Sequence, residues 1–141
     1  MFIFCNDGTQ VIPYCYSKYL CYISLFGLAT GIIGCYNNNI GLGSSVCIGT
    51  FIAVNYWRNP IYGYRRTMDI LYILYLISIH MYYIYYSINR ILYYFIQVIG
   101  IIFYYLGWYF QKNNNLSLSI ISHCCVHLCA HCYSLLYYIY G

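Results

Sequence analysis

The sequence predicts an all-α fold, a polytopic transmembrane bundle of about five helices, and three observations carry that prediction. Only 6% of the 141 residues are charged, 63% are hydrophobic, and the mean hydropathy is +0.64. A soluble domain carries about 25% Asp, Glu, Lys and Arg, and a chain of this size needs that polar skin around its single core. The apolar residues also fall in runs close to the roughly 20 residues that span a bilayer as a helix. Finally, the runs are apolar on every face, whereas a membrane β-barrel requires strict alternation in segments of about ten residues.

The first run extends from about Tyr19 to Tyr36 and the second from Ile40 to Trp57, joined by Asn37, Asn38 and Asn39. Both are rich in Gly, Ala, Ser and Cys, and small residues let helix backbones approach closely in lipid. This hairpin is therefore expected inside the bundle. The third run, about Met68 to Ser87, and the fourth, about Ile91 to Phe110, are continuous aliphatic and aromatic sequence and read as lipid-facing. The fifth, Leu116 to Tyr140, is richer in Ser, His and Cys and is expected at the bundle centre.

The charges mark orientation rather than a nucleic-acid surface. Nucleic-acid binding gathers Lys and Arg on one polar face, but here the only cluster, Arg58 with Arg65 and Arg66, lies between two apolar runs. Five crossings place Lys18, Arg58, Arg65, Arg66 and Lys112 on one side and Arg90 on the other. The positive-inside rule then puts the N-terminus in the cytoplasm and the C-terminus across the bilayer. Residues Met1 to Ser17 contain Asp7, Gly8 and Pro13 with no basic leader, so no cleaved signal peptide is expected there.

Nine cysteines suggest a disulfide scaffold only at first sight, because Cys21, Cys35, Cys47, Cys124, Cys125, Cys129 and Cys132 fall within the fifth run or the hairpin. Scaffold cysteines occupy the loops of small secreted domains, so these read as reduced, small helix residues. The CxxC from Cys129 to Cys132 has the same reading. Redox pairs of that spacing open a helix in a water-accessible fold, and this one sits inside an apolar run.

An ionisable side chain within a span costs about 2.5 to 3.5 kcal/mol at the helix centre on insertion scales, which makes each one a question of function. The candidates are Asp69, His80, His123, His127 and His131. The last three recur every fourth residue and form one stripe. A pair four apart can share a metal ion. The outer two cannot, being separated by roughly 12 Å of helical rise against Zn–N bonds of about 2.0 to 2.1 Å. One zinc ion would thus take His123 with His127, or His127 with His131. Counting residues puts Asp69 at the mouth of its span and Asn55 at a depth close to that of His123, with His80 and His127 near the midplane. Asp69 is the candidate to orient a metal-bound water or act as its base, or else a headgroup-level acid paired with Arg65 or Arg66. The histidines would otherwise be neutral imidazoles joining helices. The loop from Tyr56 to Asp69, YWRNPIYGYRRTMD, reads as an interfacial anchor, with its Arg side chains meeting headgroup phosphates.

The order of these polar residues resembles the CREST superfamily of membrane hydrolases, which includes the alkaline ceramidases and the progestin and adipoQ receptors. In that family a Ser and a His lie one turn apart on an early helix, an Asp opens the next helix, and an H-x-x-x-H pair lies on the last. Asp69 and His123 with His127, or His127 with His131, follow that order. The resemblance covers about Thr50 to Ser134 and departs where the early His belongs: Asn55 stands there, with Phe51 four residues earlier and Thr50 the nearest hydroxyl. The family core also has seven helices. The resemblance implies a zinc-dependent lipid amidase or esterase, or a degenerate relative, with His123, His127 and Asn55 as metal ligands, Asp69 as the catalytic acid and a lipid substrate. The rival expectation is a non-enzymatic subunit of a larger respiratory or viral membrane complex. A proton-conducting transporter would need inverted repeats or broken helices, which the sequence lacks.

Overall fold

The computed structural model describes residues 10–141 and folds them into five helices with no strand among them: α1 (Tyr14–Tyr36), α2 (Ile40–Trp57), α3 (Tyr64–Tyr85), α4 (Arg90–Lys112) and α5 (Leu116–Tyr140). All five are long and apolar enough to cross a bilayer. The chain has the architecture of a multi-pass integral membrane protein, the arrangement that satisfies every backbone group within its own helix. Asp7 and most of the Met1 to Ser17 stretch lie outside the described residues.

Three helices begin or end outside the oily runs. α1 starts directly after Pro13, α3 starts at Tyr64 and so takes in Arg65 and Arg66, and α4 reaches Lys112. Hydropathy marks where lipid tails begin, whereas a helix stops where its backbone is capped or broken. At α3 the break is Gly63, whose φ of 134° an L side chain resists.

The two asparagine triplets build the same turn. Asn38 and Asn114 both take left-handed backbone, with φ of 63° and 56°. In each case the next amide donates five residues back, Asn39 to the Gly34 carbonyl and Asn115 to the Phe110 carbonyl, at 2.9 Å. This closes a Schellman-type helix end. The first side chains, Asn37 and Asn113, donate to Ile33 and Tyr109 carbonyls. Asn115 then caps α5 by accepting from the Leu118 amide at 3.2 Å.

α1 packs against both α2 and α5, α2 also against α3, and α5 against α4, whereas α3 and α4 barely touch. The α1–α2 hairpin is interior, as its small residues imply. A Cβ on Gly31 would lie 2.6 Å from the Gly43 carbonyl oxygen, and one on Gly43 would lie 2.5 Å from that of Gly31. α3 and α4 bury few residues, in keeping with a lipid-facing position. α5 packs closely on α4 and α1 alone, so it lies to one side of the bundle rather than at the centre expected from its Ser, His and Cys content. It turns Ser119, Ser122, Tyr133, Ser134 and Tyr138 inward and leaves Ile121, Leu128 and Ile139 exposed.

One end of the bundle holds the Arg58 to Gly63 connection, the start of α1 and the Asn113 turn, and is called the basic end below. Its core is Ile12, Leu20, Ala53, Tyr56, Trp57 and Ile120. The segment before α1 is pinned here, with the Val11 amide donating to the Pro60 carbonyl at 2.8 Å. The opposite end is closed by Ile84, Tyr93 and Tyr133.

Candidate functional site

Polar side chains collect in three places. At the basic end Asp69 is 4% exposed in the second turn of α3, not at its first residue, so it lies about 8 Å along the helix from Tyr64. Arg66 lies close enough for its charge to act on it and on the Tyr56 hydroxyl. Arg66 is three residues before Asp69 and so on the same face of α3, which keeps the buried acid beside a cation.

His123 of α5 meets the same part of α2 from another side. Its ring packs edge-on to Trp57, centroids 5.7 Å apart, and lies 5.8 Å from Tyr104 of α4. Gly107 gives it room, since a Cβ there would stand 3.1 Å from Nδ1. Adjacent residues on a helix project about 100° apart, so Asp69 beside Tyr56 and His123 beside Trp57 approach α2 from different directions. Asn55 is exposed on α2. It precedes Trp57 by two residues, which puts it roughly on the far side of that helix from His123. Among the described residues no three His, Cys, Asp or Glu side chains gather closely enough for one metal ion.

Further along α5, the His127 and His131 rings lie 6.3 Å apart at an interplanar angle of 31°. His131 sits against Gly27 of α1, and its Nε2 is buried without a hydrogen-bond partner, as is Nε1 of Trp57.

The third place is one that sequence reasoning missed as a pairing. His80 of α3 is 1% exposed, and its Nδ1 lies 2.9 Å from the Leu76 carbonyl. That carbonyl can only accept, so Nδ1 carries the proton and Nε2 is the acceptor. Nε2 takes the Tyr138 hydroxyl of α5 at 3.2 Å and lies 3.4 Å from Ser134 Oγ. His80 is thus nearer the opposite end than the midplane level shared with His127, because α3 both starts and stops earlier than its oily run. The available signal was the pair Ser134 and Tyr138, one turn apart and about as far from the end of α5 as His80 is from the end of α3.

Three further side chains reach a backbone carbonyl of a neighbouring helix. Tyr72 of α3 donates to the Ser45 carbonyl of α2 at 3.1 Å, Ser119 of α5 to the Gly107 carbonyl of α4 at 2.9 Å, and Tyr93 of α4 to the Leu136 carbonyl at 3.4 Å. Ser24, Thr30, Ser45, Thr50 and Ser122 turn back on the carbonyl four residues earlier, which satisfies a hydroxyl in lipid without a second helix.

Fold and site together define a class, the polytopic α-helical membrane proteins with a polar interior. No protein-family model, curated protein or solved structure matches the chain.

Proposed function

We propose that this protein is a non-enzymatic, membrane-embedded subunit whose polar residues fasten its helices and whose α3 and α4 faces meet lipid or a neighbouring membrane protein. The observation that carries this reading is the use made of the interior polar groups. His80, the most deeply buried histidine, is occupied by Tyr138 and Ser134, and Tyr72, Ser119 and Tyr93 each bond the backbone of an adjacent helix. Groups spent on helix contacts are not poised for reaction. In the orientation that goes with this reading, the basic end faces the cytoplasm, since Arg58, Arg65, Arg66 and Lys112 cluster there. The test is purification from its native membrane in mild detergent. Other membrane subunits retained at fixed stoichiometry, and retained equally by a His123→Gln, His127→Gln double variant, support the reading. A chain that purifies alone contradicts it.

A second reading, a zinc-dependent lipid amidase or esterase, is favoured by one observation. The buried Nε2 of His131 has no hydrogen-bond partner and lies beside His127, a pair four apart of the kind that shares a metal. In that reading Asp69 is the acid, and Asn55, exposed on α2, is not well placed to complete the ligands. Elemental analysis separates the two readings: stoichiometric zinc that is lost from a His127→Ala, His131→Ala variant supports the enzyme, and its absence removes it.

A further inference from the structure

The basic end carries a pocket of about 310 Å³ lined by Val11, Tyr62, Arg66, Trp108, Gln111 and Lys112. It lies between the start of α3 and the end of α4, the two helices that scarcely touch. Its size falls at the low end for small-molecule sites, about 300 to 1,000 Å³. Each cation in it rests on an aromatic ring of the same pocket. Arg66 Cζ is 5.2 Å from the Tyr62 ring centre, and Lys112 Nζ is 5.3 Å from that of Trp108. Stacking fixes the position of a flexible cation while leaving its N–H groups free to bond outward.

We propose that this pocket binds the headgroup of an anionic phospholipid, with Arg66 and Lys112 holding the phosphate and Gln111 donating its amide to it. No carboxylate lines the pocket among the described residues. Arg66 and Lys112 thus give the pocket lining a net positive charge among the described residues. That charge favours a headgroup that is net negative, such as phosphatidylglycerol, over phosphatidylcholine, whose equally charged phosphodiester is neutralised by its own ammonium. Basic pockets between membrane helices are where such headgroups are held.

The lipid, rather than a free phosphate, is indicated by what lies beneath the cations. Ile73 and Ile77 continue the Arg66 stripe at i+7 and i+11 and are 41% and 40% exposed. Ile101, two turns before Trp108, is 53% exposed on α4. An acyl chain running down from a phosphate at Arg66 and Lys112 would lie along these residues, and a free anion would make no use of them. Tyr62 just before α3 and Trp108 near the end of α4 are the amphipathic ring types that meet headgroups at helix ends.

Native mass spectrometry of the full chain, exchanged into an equimolar mixture of phosphatidylglycerol and phosphatidylcholine in detergent, tests this. The proposal expects one phosphatidylglycerol retained over phosphatidylcholine by about five-fold. Lys112→Gln, an exposed position outside the packed core, should at least halve that preference. Arg66→Gln with Lys112→Gln should abolish it. Arg58→Gln, a cation at the same end but outside the pocket, should leave it unchanged, and millimolar inorganic phosphate should not displace the lipid. Equal retention of the two lipids, or a loss in Arg58→Gln as large as in Lys112→Gln, overturns the proposal. Displacement by inorganic phosphate also overturns it, by showing a free-anion site.

Discussion

The Nε2 of His80 on α3 accepts the hydroxyl of Tyr138 on α5 at 3.2 Å, a bond between two helices whose backbones seldom come close. With Ser134 and the Tyr133 ring beside it, this bond ties α3 to α5, while the backbone of α3 packs mainly on α2. Interhelical hydrogen bonds in membranes are worth about 0.6 kcal/mol on average and up to about 1.7. Tyr138→Phe keeps the ring and removes the donor, so unfolding in detergent should show a loss of about 1 kcal/mol. A cycle with His80→Leu should return a coupling of at least about 0.5 kcal/mol. Additive losses would mean that the two groups do not interact.

Gly31 and Gly43 predict a contrast between glycines that hydropathy alone treats alike. Each faces the other's carbonyl oxygen across the α1–α2 contact, so Gly43→Ala must push two backbones apart and should cost about 1 to 3 kcal/mol. Gly41→Ala meets nothing within 4 Å and should be neutral or stabilising by up to about 1 kcal/mol, from helix propensity. Thermal denaturation of the two variants in the same detergent gives the comparison.

Asp69 and Arg66 should respond unequally to substitution. Arg66 is half-buried and can turn its guanidinium to headgroups when the acid is gone, so Asp69→Leu should cost about 1 kcal/mol or less. Arg66→Leu leaves a buried polar carboxyl without the cation that acts on it and should cost about 2 kcal/mol. Chemical unfolding of both variants measures the difference, and equal losses would show that Arg66 does not serve Asp69.

Ser119 offers a smaller test at the contact of α4 with α5. Its buried hydroxyl donates to the Gly107 carbonyl at 2.9 Å, while Ser117 two residues earlier is exposed. Ser119→Ala should lower the unfolding free energy by about 0.6 kcal/mol, and Ser117→Ala should leave it unchanged within the scatter of surface substitutions.

Much of the fold was legible because lipid imposes one rule on a long chain segment. Five oily runs give five helices, and the Asn37 to Asn39 and Asn113 to Asn115 triplets mark turns, since Asn tolerates left-handed backbone. Helix starts were less legible where charge interrupts oil: Arg65 and Arg66 sit inside α3 because a capped helix continues past the lipid tails. The side-chain pairing was least legible. The stripe of His123, His127 and His131 follows from spacing, but which helix each imidazole faces depends on rotation about the helix axis. The approach of His131 to Gly27 depends on that rotation, and composition does not reveal it.

If five spans carry the chain across the bilayer, the Arg58 to Gly63 connection and Gly141 lie on opposite sides. Protease protection in sealed native vesicles measures this directly, with one epitope inserted after Asn59 and another appended to Gly141. Intact vesicles should protect only one of the two, the Gly141 tag on the side away from the Arg58 loop. Equal protection, or equal cleavage, of both tags would contradict the five-span arrangement.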